Sequence, residues 1–508
     1  MRHAVLVLRD LTPGSTEPWP DAATARTDVL IVGGGLVGLS CAAFLAWHGV
    51  RCVLVERHPT ILGHPRQRSL TPRVLEMYRQ LGLEARIEAG RADFAGPDDY
   101  VAVRADTLAG PHTPLDRRDA PDPGENASPC RGTPIDQDRV EALLAARALE
   151  LGASLRFGVA LTAFGDDGAG IRAELSDGTR LRAAYLVAAD GADGAIGPAL
   201  GVTRHGPGAL YSLTSLLIEA DLRPVLRGRT VHMAYLTRPA PRTYLMALDR
   251  QATRWVFGTA GPGTLSSVRA AIGADLPVRV REPLPGRRSL AFDVGAWVAS
   301  RYRVGRVFLV GDAAHAMPPT GGFGGATGVA DAHNLAWKLA YVLRGAAGDA
   351  LLSTYHDERA PVGEFTMRQA LARSDHRFDA ADSTAIADRS AVLFGCAYRS
   401  AAIAADGPAP DPVPAARLSG APGTRAPHVA LGDGRSTIDW YGRDFVLLAG
   451  PRWAGSVAAH RLSADTAARH GLSTGAALLV RPDGVVAWRG VGEPPWGPVR
   501  PGGAVRPG

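Results

Sequence analysis

Lysine is almost absent from this chain of 508 residues. One of its 56 basic residues, Lys338, is a lysine, and the other 55 are arginines. The basic residues outnumber the 50 acidic ones and give a formal net charge of +6. This excess either reflects composition alone or creates a positive field that attracts anionic cofactors and substrates. Since no basic run is interleaved with aromatic side chains, the sequence does not indicate binding to nucleic acid.

Cysteine is also scarce, and its spacing predicts neither disulfides nor a metal site. The four cysteines are Cys41, Cys52, Cys130 and Cys396. Such usage is typical of the reducing cytoplasm. Residues 1–26 lack the charged start and apolar core of a secretion signal and are predicted to be an extension. Residues 29–50 contain no Asp, Glu, Lys or Arg over 22 positions, but their glycines predict a strand, a turn and a helix rather than a membrane span.

The segment DVLIVGGGLVGLSCAAFLAWHGVRCVLVER predicts a β-strand, a glycine turn, a helix and a second strand. The turn reads Gly33-x-Gly35-x-x-Gly38, and Glu56 ends the second strand 18 residues after the last glycine. In such a unit the first glycine permits the turn, the second admits a pyrophosphate, and the third allows close packing. The helix N-terminus binds phosphates, and Glu56 accepts hydrogen bonds from a ribose. A single fingerprint of this kind predicts one tightly bound dinucleotide.

After residue 56 the sequence predicts helices, then a lobe built on a sheet, and then a linker followed by a last domain. Helices are predicted over residues 71–81 and 135–148. Residues 211–260 contain short β-branched and aromatic runs separated by turns, which predict an antiparallel sheet in a separate lobe. A Pro/Gly-rich linker at 412–428 precedes a last domain with the strand-like runs DFVLLAG and AALLVRPDGVVAWRG, and the tail after Pro494 is predicted to be frayed.

Three motifs follow one another along the chain: the glycine fingerprint, Asp190-Gly191, and Gly311-Asp312. With them the chain resembles the FAD-dependent aromatic hydroxylases, the class A flavoprotein monooxygenases related to p-hydroxybenzoate hydroxylase, over about residues 27–400. Its C-terminal part, with STIDWYGRDFVLLAG and GAALLVRPDGVVAWRG, resembles the thioredoxin-like domain of phenol hydroxylases and bacterial polyketide hydroxylases.

The resemblance implies an α/β fold with a Rossmann-like FAD-binding domain interleaved with an antiparallel β-sheet substrate lobe, followed by a thioredoxin-like domain. Because no cysteine follows Cys396, that last domain lacks Cys-x-x-Cys and is predicted to serve packing or oligomer contact. The implied boundaries are 1–26 for the extension; 27–100, 130–205 and 286–400 for the FAD-binding domain; 101–129 and 206–285 for the substrate lobe; 401–428 for the linker; and 429–508 for the thioredoxin-like domain.

The resemblance also assigns residues to FAD. The three glycines of the fingerprint would meet its pyrophosphate, Glu56 its adenosine ribose, Gln137 the ribityl chain and Asp312 the ribityl hydroxyls. The implied FAD contacts are Gly33, Gly35, Leu36, Val37, Gly38, Glu56, Arg57, Arg66, Gln137, Asp190, Gly191, Gly311, Asp312, Pro319, Gly321, Gly324, Gly325, Ala326 and Thr327.

The segment GDAAHAMPPTGGFGGATG, residues 311–328, has five glycines in its last eight positions. Bare backbone of this kind lets amides and a helix N-terminus reach the O2 and N1 edge of a flavin without Cβ clashes. His315 within it is either a proton relay or a packed structural histidine.

The chain departs from the family after Asp190-Gly191. Gly194 and Gly197 stand where the family usually has a serine and an arginine. Asp190 still fits an FAD contact, but the part of the motif linked to NAD(P)H is altered. NADPH, NADH and a separate flavin reductase therefore all stay open as the source of electrons.

The implied reaction is hydroxylation of a phenolic or polycyclic aromatic substrate by a flavin C4a-hydroperoxide formed from NAD(P)H and O2. The substrate should lie between the flavin and the antiparallel sheet. We expect it to be lined by Tyr235, Met246, Phe257, Phe323 and Pro318, with Met233, Tyr244 and Trp255 as further candidates on the same strands.

Several questions stay open in the sequence. His232, Tyr235 and Arg242 are candidates for a general base. Baeyer–Villiger oxygenation, flavin-mediated reduction or rearrangement on the same scaffold, and a flavin-holding partner protein without turnover are alternatives to hydroxylation. The protein is expected to be a monomer or a homodimer.

Overall fold

The computed structural model describes residues 7–8, 25–64, 66–92, 100–115, 127–282, 286–379, 386–405, 407–432 and 434–495. Most of the predicted N-terminal extension, and the predicted frayed tail from residue 496 on, therefore lie outside the described residues. The described part forms an α/β unit, a second unit built on a large sheet, and a small C-terminal unit.

The α/β unit is built on a nine-stranded sheet with the order β1-β9-β10-β11-β2-β3-β8, in which β19 also pairs with β11 and β18 with β19. Strands β11, β2, β3 and β8 run parallel to their neighbours in that order. These strands are β1 (Val7–Leu8), β2 (Ala25–Val32), β3 (Cys52–Glu56), β8 (Ser154–Phe157), β9 (Leu161–Asp166), β10 (Ile171–Leu175), β11 (Arg180–Ala188), β18 (Arg303–Val304) and β19 (Val307–Leu309).

Helices cover this sheet because its central strands are apolar on both faces. Helix α1 (Leu36–Trp47) packs against α4 (Gln137–Glu150) and α8 (Phe323–Leu343), and α8 packs against the 30-residue α9 (Ala350–Asp379). Burial on all sides explains why residues 29–50 carry no charge. No described helix is both long and apolar enough to cross a membrane. The shorter helices are α2 (Pro72–Gln80), α3 (Glu84–Ala89), α5 (Ile196–Ala199), α6 (Arg223–Leu226), α7 (Leu265–Ile272), α10 (Arg389–Phe394) and α11 (Ala464–Arg469).

The second sheet has the order β20-β17-β12-β15-β14-β13-β5-β6, with β16 beside β12. Its pairs are antiparallel except β13 with β5. One face is buried with α7 in the core of the lobe, and the other faces the α/β unit. The strands are β5 (Ala102–Ala105), β6 (Thr113–Pro114), β12 (Arg204–Glu219), β13 (Met233–Leu236), β14 (Thr243–Ala247), β15 (Arg254–Thr259), β16 (Arg279–Arg281), β17 (Leu290–Ala299) and β20 (His315–Ala316).

The C-terminal unit has a four-stranded sheet with the order β24-β23-β25-β26. Strand β24 is parallel to β23, while β25 and β26 are antiparallel to their neighbours, which is the arrangement of a thioredoxin-like core. The four cysteines of the chain are free thiols. The strands here are β23 (Val446–Ala449), β24 (His460–Arg461), β25 (Ala477–Val480) and β26 (Val486–Gly490), and the remaining short pairs are β4 (Ser69–Leu70) with β7 (Thr133–Pro134) and β21 (Ala430–Gly432) with β22 (Arg435–Ser436).

Candidate active site

The glycine turn between β2 and α1 gives its three glycines different tasks. A Cβ on Gly33, whose φ is +111°, would lie 2.2 Å from the Ala189 carbonyl oxygen, and one on Gly38 would lie 1.9 Å from the Gly33 oxygen. Around Gly35 the nearest atom to such a Cβ would be 3.9 Å away, on Glu141. Gly33 and Gly38 therefore allow close packing, whereas Gly35 leaves open space in front of the α1 N-terminus.

The N-terminus of α1 is electrostatically prepared for an anion. Its N-cap residue, Gly35, provides no side-chain hydrogen bond to the first turn, so backbone N–H groups and the positive end of the helix dipole face the open space. Glu56 closes the other side of the turn, because its carboxylate accepts the Gly34 N–H at 2.7 Å and the His58 N–H at 2.8 Å.

A buried acid, Glu141, lies beside this turn. Gln137 donates to its carboxylate at 2.7 Å, and the carboxylate also accepts the Leu36 N–H. Burial raises the pKa of Glu141, and the hydrogen bond from Gln137 and the charge of Arg66 offset only part of that effect. Arg66 and Arg57 themselves are exposed.

Asp190 carries the second motif and keeps one oxygen unused. Its Oδ2 accepts the Ile196 N–H at 3.1 Å, while its buried Oδ1 has no hydrogen-bond partner among the described residues. Burial raises the pKa of this carboxyl above its ordinary value. Gly191, at φ +84°, turns the chain immediately after it.

The departure at Gly194 has a local cause. A Cβ on Gly194 would lie 2.3 Å from the Asp190 Cγ, so the carboxyl of Asp190 fills the place where a side chain would stand. A Cβ on Gly197 would only touch Leu309 at an ordinary 3.7 Å, so nothing in the packing requires glycine there. Arg204, stacked 3.6 Å over Trp297, reaches the Ala192 carbonyl at 2.8 Å and supports this loop from the neighbouring strand.

The third motif lies against the first turn of α1. A Cβ on Gly311 would lie 2.9 Å from the Val37 side chain, and one on Gly328 would lie 2.6 Å from the same side chain. One on Gly325 would lie 3.3 Å from Leu36. Asp312 follows Gly311 with an exposed side chain. The third motif therefore meets the first at Leu36 and Val37, and the second motif meets it at Gly33, where a Cβ would lie 3.2 Å from the Asp190 nitrogen.

The glycine-rich loop brings a second helix N-terminus to the same place. Gly321 and Gly322, at φ +84° and +67°, reverse the chain before α8, which begins without a side-chain cap. Pro319 is exposed, Gly324 and Ala326 are half-buried, and Thr327 is buried with its hydroxyl donating to the Phe323 carbonyl at 2.9 Å. We call the surface formed by the α1 first turn, Asp190, Asp312 and residues 318–327 the flavin groove.

His315 is held as a structural residue beneath this loop. It is fully buried, and its Nε2 lies 2.7 Å from Asp331 Oδ2, the oxygen that also accepts the Gly311 N–H at 3.1 Å. Arg359 binds the other oxygen of Asp331 at 2.7 Å. Burial raises the pKa of Asp331, but the charge of Arg359 and the contact with His315 outweigh it and keep it below its ordinary value.

The sheet of the second unit turns a set of aromatic and sulfur side chains toward the α/β unit. Tyr235 pairs across the strands with Tyr244, and Met233 with Met246, and all four are half-buried. Gly258 lies opposite Tyr244, whose ring covers it so closely that a Cβ on Gly258 would lie 2.2 Å from the ring.

Residues of the α/β unit reach this face. His64 lies 3.0 Å from the hydroxyl of Ser215 on β12, which is hydrogen-bonded to Tyr244. The neighbouring Gln67 side chain lies beside Gly325 of the glycine-rich loop. His64 and Gln67 thereby connect the sheet face to the flavin groove.

The comparisons with known proteins match this arrangement. The sequence matches the FAD binding domain family over residues 26–370 and the aromatic-ring hydroxylase C-terminal family over residues 419–500. The chain belongs to the FAD-dependent aromatic-ring hydroxylases.

Three proteins illustrate the similarity. The hydroxylase is 39% identical to the tetracenomycin B2 monooxygenase-dioxygenase of Streptomyces olivaceus, over 91% of this chain and 94% of the relative. It is 36% identical to the 4-methyl-5-nitrocatechol 5-monooxygenase of a Burkholderia species, over 93% and 96% of the two chains. A crystal structure of aklavinone-11 hydroxylase in a ternary complex with FAD and aklavinone matches with a TM-score of 0.81 and 33% identity, over 92% and 96%.

These matches confirm two predictions for this chain, its fold class and its activity as an FAD-dependent monooxygenase. The residues of the flavin groove fit FAD on structural grounds. There is open space at Gly35, two helices begin at glycine N-caps without a side-chain cap, and Oδ1 of Asp190 has no partner among the described residues. A pyrophosphate and a hydroxyl-rich chain would satisfy these groups. The individual contacts assigned to FAD stay predictions.

The hydroxylase does not bring all the predicted substrate-lining residues together. Tyr235 and Met246 share the face toward the α/β unit, but strand alternation puts Phe257 on the other face, fully buried in the lobe core. Phe323 is also buried, against Ala370 and Val392. Pro318 is buried next to the groove.

Several residues of the site were not indicated by the sequence. They are the acid Glu141, the hydrogen-bonded pair His64 and Ser215, and the ion pair between Asp331 and Arg359. The sequence did contain one signal for Asp331. This residue, Asn334 and Lys338 recur at helical spacing along the otherwise apolar α8, which indicates a buried polar stripe.

Proposed function

We propose that this hydroxylase inserts one oxygen atom of O2 into a phenolic or polycyclic aromatic substrate of polyketide type, with NAD(P)H as the reductant. The reaction balances as substrate, O2, NAD(P)H and H⁺ giving hydroxylated substrate, water and NAD(P)⁺. The observation that carries the proposal is a face of aromatic and thioether side chains that His64 and Gln67 connect to the flavin groove. The face consists of Tyr235, Tyr244, Met233 and Met246.

FAD would be held by the glycine turn at its pyrophosphate, by Asp190 and Asp312 near its polyol chain, and by the α8 N-terminus at the pyrimidine edge of its ring. When bound, FAD supplies the electron transfer and oxygen activation that no amino-acid side chain provides. The uncapped N-terminus of α8 would stabilise negative charge at that edge through its N–H groups and helix dipole.

The substrate class follows from the side chains of the sheet face and from the relatives. Flat aromatic molecules pack well against tyrosine rings and the flexible thioethers of methionine. The relatives named for tetracenomycin and aklavinone support a polycyclic polyketide, whereas the nitrocatechol relative supports a single phenolic ring. We favour the polycyclic class.

Tyr244 and Tyr211, whose hydroxyls are partly or fully buried at this face, serve as hydrogen-bond donors rather than bases at neutral pH. Burial raises the pKa of Tyr244 to about 12 and raises the pKa of Tyr211. Arg242 stacks 4.3 Å over the Tyr211 ring and brings a positive charge that would favour a phenolate form of the substrate. His232 accepts the Val101 N–H on Nδ1 at 2.8 Å, so its ring is engaged in joining β5 and β13.

Anaerobic stopped-flow reduction of the FAD-loaded full chain tests the proposal. The protein is mixed with NADPH or NADH, with and without anthraquinone, naphthacene and simple phenol ligands. We expect fast bleaching of the flavin band with a polycyclic ligand present and slow bleaching without one. Bleaching that no ligand stimulates would contradict a substrate-gated hydroxylase, and stimulation by simple phenols alone would replace the polycyclic class with the single-ring class.

Two further measurements sharpen the result. Met246→Trp should fill the sheet face and suppress the ligand effect, whereas Leu265→Ala, on the exposed side of α7, should leave it unchanged. Aerobic products made under ¹⁸O2 should gain one labelled oxygen as a ring hydroxyl. A labelled ester oxygen would instead indicate Baeyer–Villiger oxygenation, and an unlabelled product would indicate reduction or rearrangement. Cytoplasmic location and a monomeric or homodimeric state stay predictions.

A further inference from the structure

A fully buried ionic cluster joins the C-terminal unit to helices α8 and α9. Its centre is Glu358 on α9, which is bound through two hydrogen bonds, of 2.7 and 2.8 Å, by Arg481 from the C-terminal unit. The ionic cluster consists of Asn334, Lys338, Glu358, Arg481 and Asp483, with Ser400 at its edge.

The charges in the ionic cluster are balanced. Lys338, the one lysine of the chain, donates to Glu358 at 2.8 Å, and Arg481 also pairs with Asp483. Burial raises the pKa of Glu358, but the charges of Arg481 and Lys338 outweigh it and hold the pKa far below its ordinary value. The cluster therefore fixes the C-terminal unit on α9 with ionised, fully desolvated groups.

The next residue of α9 extends this contact toward the flavin groove. Arg359 donates to Asp331 at 2.7 Å and to the Thr327 carbonyl, in the first turns of α8, at 3.1 Å. Asp331 in turn accepts the Gly311 N–H at 3.1 Å. A continuous series of buried, charge-assisted hydrogen bonds and one peptide unit thus leads from Arg481 to the glycine that precedes Asp312.

We propose that Arg481 is a positioning residue for FAD: the C-terminal unit uses it to fix α9, and through Arg359 and Asp331 the Gly311–Asp312 loop. The proposal rests on the assignment of that loop to FAD under the proposed function. It gives the C-terminal unit, which has no Cys-x-x-Cys motif, a task in cofactor binding. Without Arg481, the Glu358 carboxylate keeps only Lys338 as a cationic partner among the described residues. We therefore expect α9 to be held less firmly at Glu358, and the neighbouring Arg359 to be displaced.

The chain contains a matched control for this proposal. Arg425 of the C-terminal part makes a second buried bidentate pair, with Glu76 on α2. Both residues are nearly as buried as the Arg481 pair, and Glu76 is bound on its own side of the interface by Arg73 at 2.8 Å. Loss of either pair weakens docking of the C-terminal unit. The Arg425 pair reaches the ionic cluster indirectly, through Arg73, which donates to the Asp483 carbonyl at 3.3 Å, whereas the Arg481 pair contains Glu358, the residue next to Arg359 in α9.

The experiment compares Arg481→Met with Arg425→Met in the full chain. FAD dissociation constants are measured by fluorescence titration, and visible circular dichroism reports the surroundings of the bound flavin. We expect both variants to lower the unfolding temperature, but only Arg481→Met to raise the FAD dissociation constant, by about tenfold, and to change the flavin dichroism. An equal effect of the two variants on FAD, or none from Arg481→Met, would overturn the proposal.

A conservative variant covers the case in which Arg481→Met does not fold. Arg481→Lys keeps the charge but loses the bidentate geometry, and we expect it to raise the FAD dissociation constant by about threefold. FAD binding unchanged in Arg481→Lys, when Arg481→Met cannot be measured, would also count against the proposal.

A double-mutant cycle with Asp331→Asn tests the route. If Arg481 acts through Asp331, the double variant binds FAD more tightly than the product of the two single effects predicts. Multiplicative effects would exclude this route. Asp312→Ala separates the two proposals, because unchanged FAD binding in that variant would refute the loop assignment itself, whereas loss of FAD there with no effect of Arg481 would refute only the positioning role.

Discussion

The flavin groove and the ionic cluster both contain residues of α8, but they differ in whether their polar groups have partners within the protein. In the flavin groove the N-cap residues of two helices, Gly35 and Gly322, provide no side-chain cap, and Asp190 keeps an oxygen without a partner among the described residues. In the ionic cluster each of the four charged side chains has an opposite charge within hydrogen-bond distance. The open hydrogen-bonding groups of the groove are available to a ligand, whereas the paired charges of the ionic cluster hold the elements that carry the groove in place.

The difference also separates the residue types. The groove relies on glycines, because a ligand must approach the backbone, while the ionic cluster relies on long charged side chains that cross between units. Asp331 connects the two regions, since it accepts the Gly311 N–H next to the groove and binds the Arg359 guanidinium next to the ionic cluster. Because the two regions use different residues, substitutions can disrupt each of them separately.

The largest effect is expected from Gly38→Ala. Its methyl group would lie 1.9 Å from the Gly33 carbonyl oxygen, which is backbone and cannot move without separating α1 from β2. Overpacking usually costs about 1–3 kcal/mol, but because this contact is with backbone we expect a loss above about 5 kcal/mol in the free energy of unfolding, with loss of FAD. Soluble yield, unfolding temperature and FAD content measure it.

Gly35→Ala is the matched control in the same turn. The nearest atom to its methyl group would be 3.9 Å away and its φ is −81°, so the fold should be retained. Because the methyl would occupy the space in front of the α1 N-terminus, the FAD dissociation constant should rise by about tenfold. If both variants unfold, or both bind FAD normally, the division of tasks between the two glycines is wrong.

Glu358→Ala should have the next largest effect, on the ionic cluster. Removing the central anion leaves Arg481 and Lys338 buried beside too little negative charge, which costs about 3–5 kcal/mol of unfolding free energy. Lys338→Met should cost less, because Arg481 keeps its bidentate bond to Glu358. Guanidinium unfolding measures both.

Arg368→Ala provides the control on the same helix. Arg368 is paired with Glu364 at the exposed surface of α9, so its removal should change stability by less than about 1 kcal/mol. A loss in Glu358→Ala no larger than that of Arg368→Ala would show that the ionic cluster does not hold the frame.

Local sequence predicted the groove better than the cluster. The glycine turn, its helix and Glu56 lie within 24 residues, Gly33 to Glu56, so their spacing alone indicated the unit. The ionic cluster joins Lys338, Glu358 and Arg481, which are far apart in sequence, and no periodicity relates residues on separate elements. The sequence indicated only the α8 residues of the ionic cluster, through the helical spacing of the polar residues on that helix.

The sheet shows the same limit. Alternation predicted that the side chains of β13 to β15 form two sets on opposite faces of the sheet, but it did not predict which face lies toward the flavin groove. That choice depends on α7, which covers the face bearing Phe257 and Trp255 and leaves Tyr235 and Met246 toward the α/β unit. The individual FAD and substrate contacts therefore stay predictions for the experiments above.

His333 should give a smaller, pH-dependent effect at the edge of the ionic cluster. Burial and the charge of Arg73 lower the pKa of this histidine from 6.5 to about 3. Between these values the unfolded chain binds the proton and the folded chain does not, so stability falls as pH falls from 6.5, by up to about 1.4 kcal/mol per pH unit.

His333→Asn should flatten the acid side of the stability profile without altering it above pH 7. Unfolding temperature measured from pH 7 to pH 4.5 checks this, with the exposed His205→Asn as the control. Parallel profiles for wild type and His333→Asn would show that this histidine does not contribute to acid destabilisation.

The smallest effect is expected from Glu141→Gln, which removes a charge beside the groove without changing shape. Because burial raises the pKa of Glu141 above 4.5, the folded chain holds this proton more tightly than the unfolded chain. The stability that this carboxyl contributes is fully present below pH 4.5 and is lost as pH rises through the folded pKa.

The same ionised carboxylate also repels a pyrophosphate at the α1 N-terminus. Glu141→Gln should therefore bind FAD about threefold more tightly at pH 8, and the advantage should shrink as the pH is lowered and the wild-type carboxyl takes up its proton. Glu150→Gln, at the exposed end of the same helix, should not change FAD binding at either pH. An equal gain at all pH values would mean that Glu141 acts through its hydrogen bonds to Gln137 and Leu36 rather than through its charge, because only charge repulsion disappears on protonation.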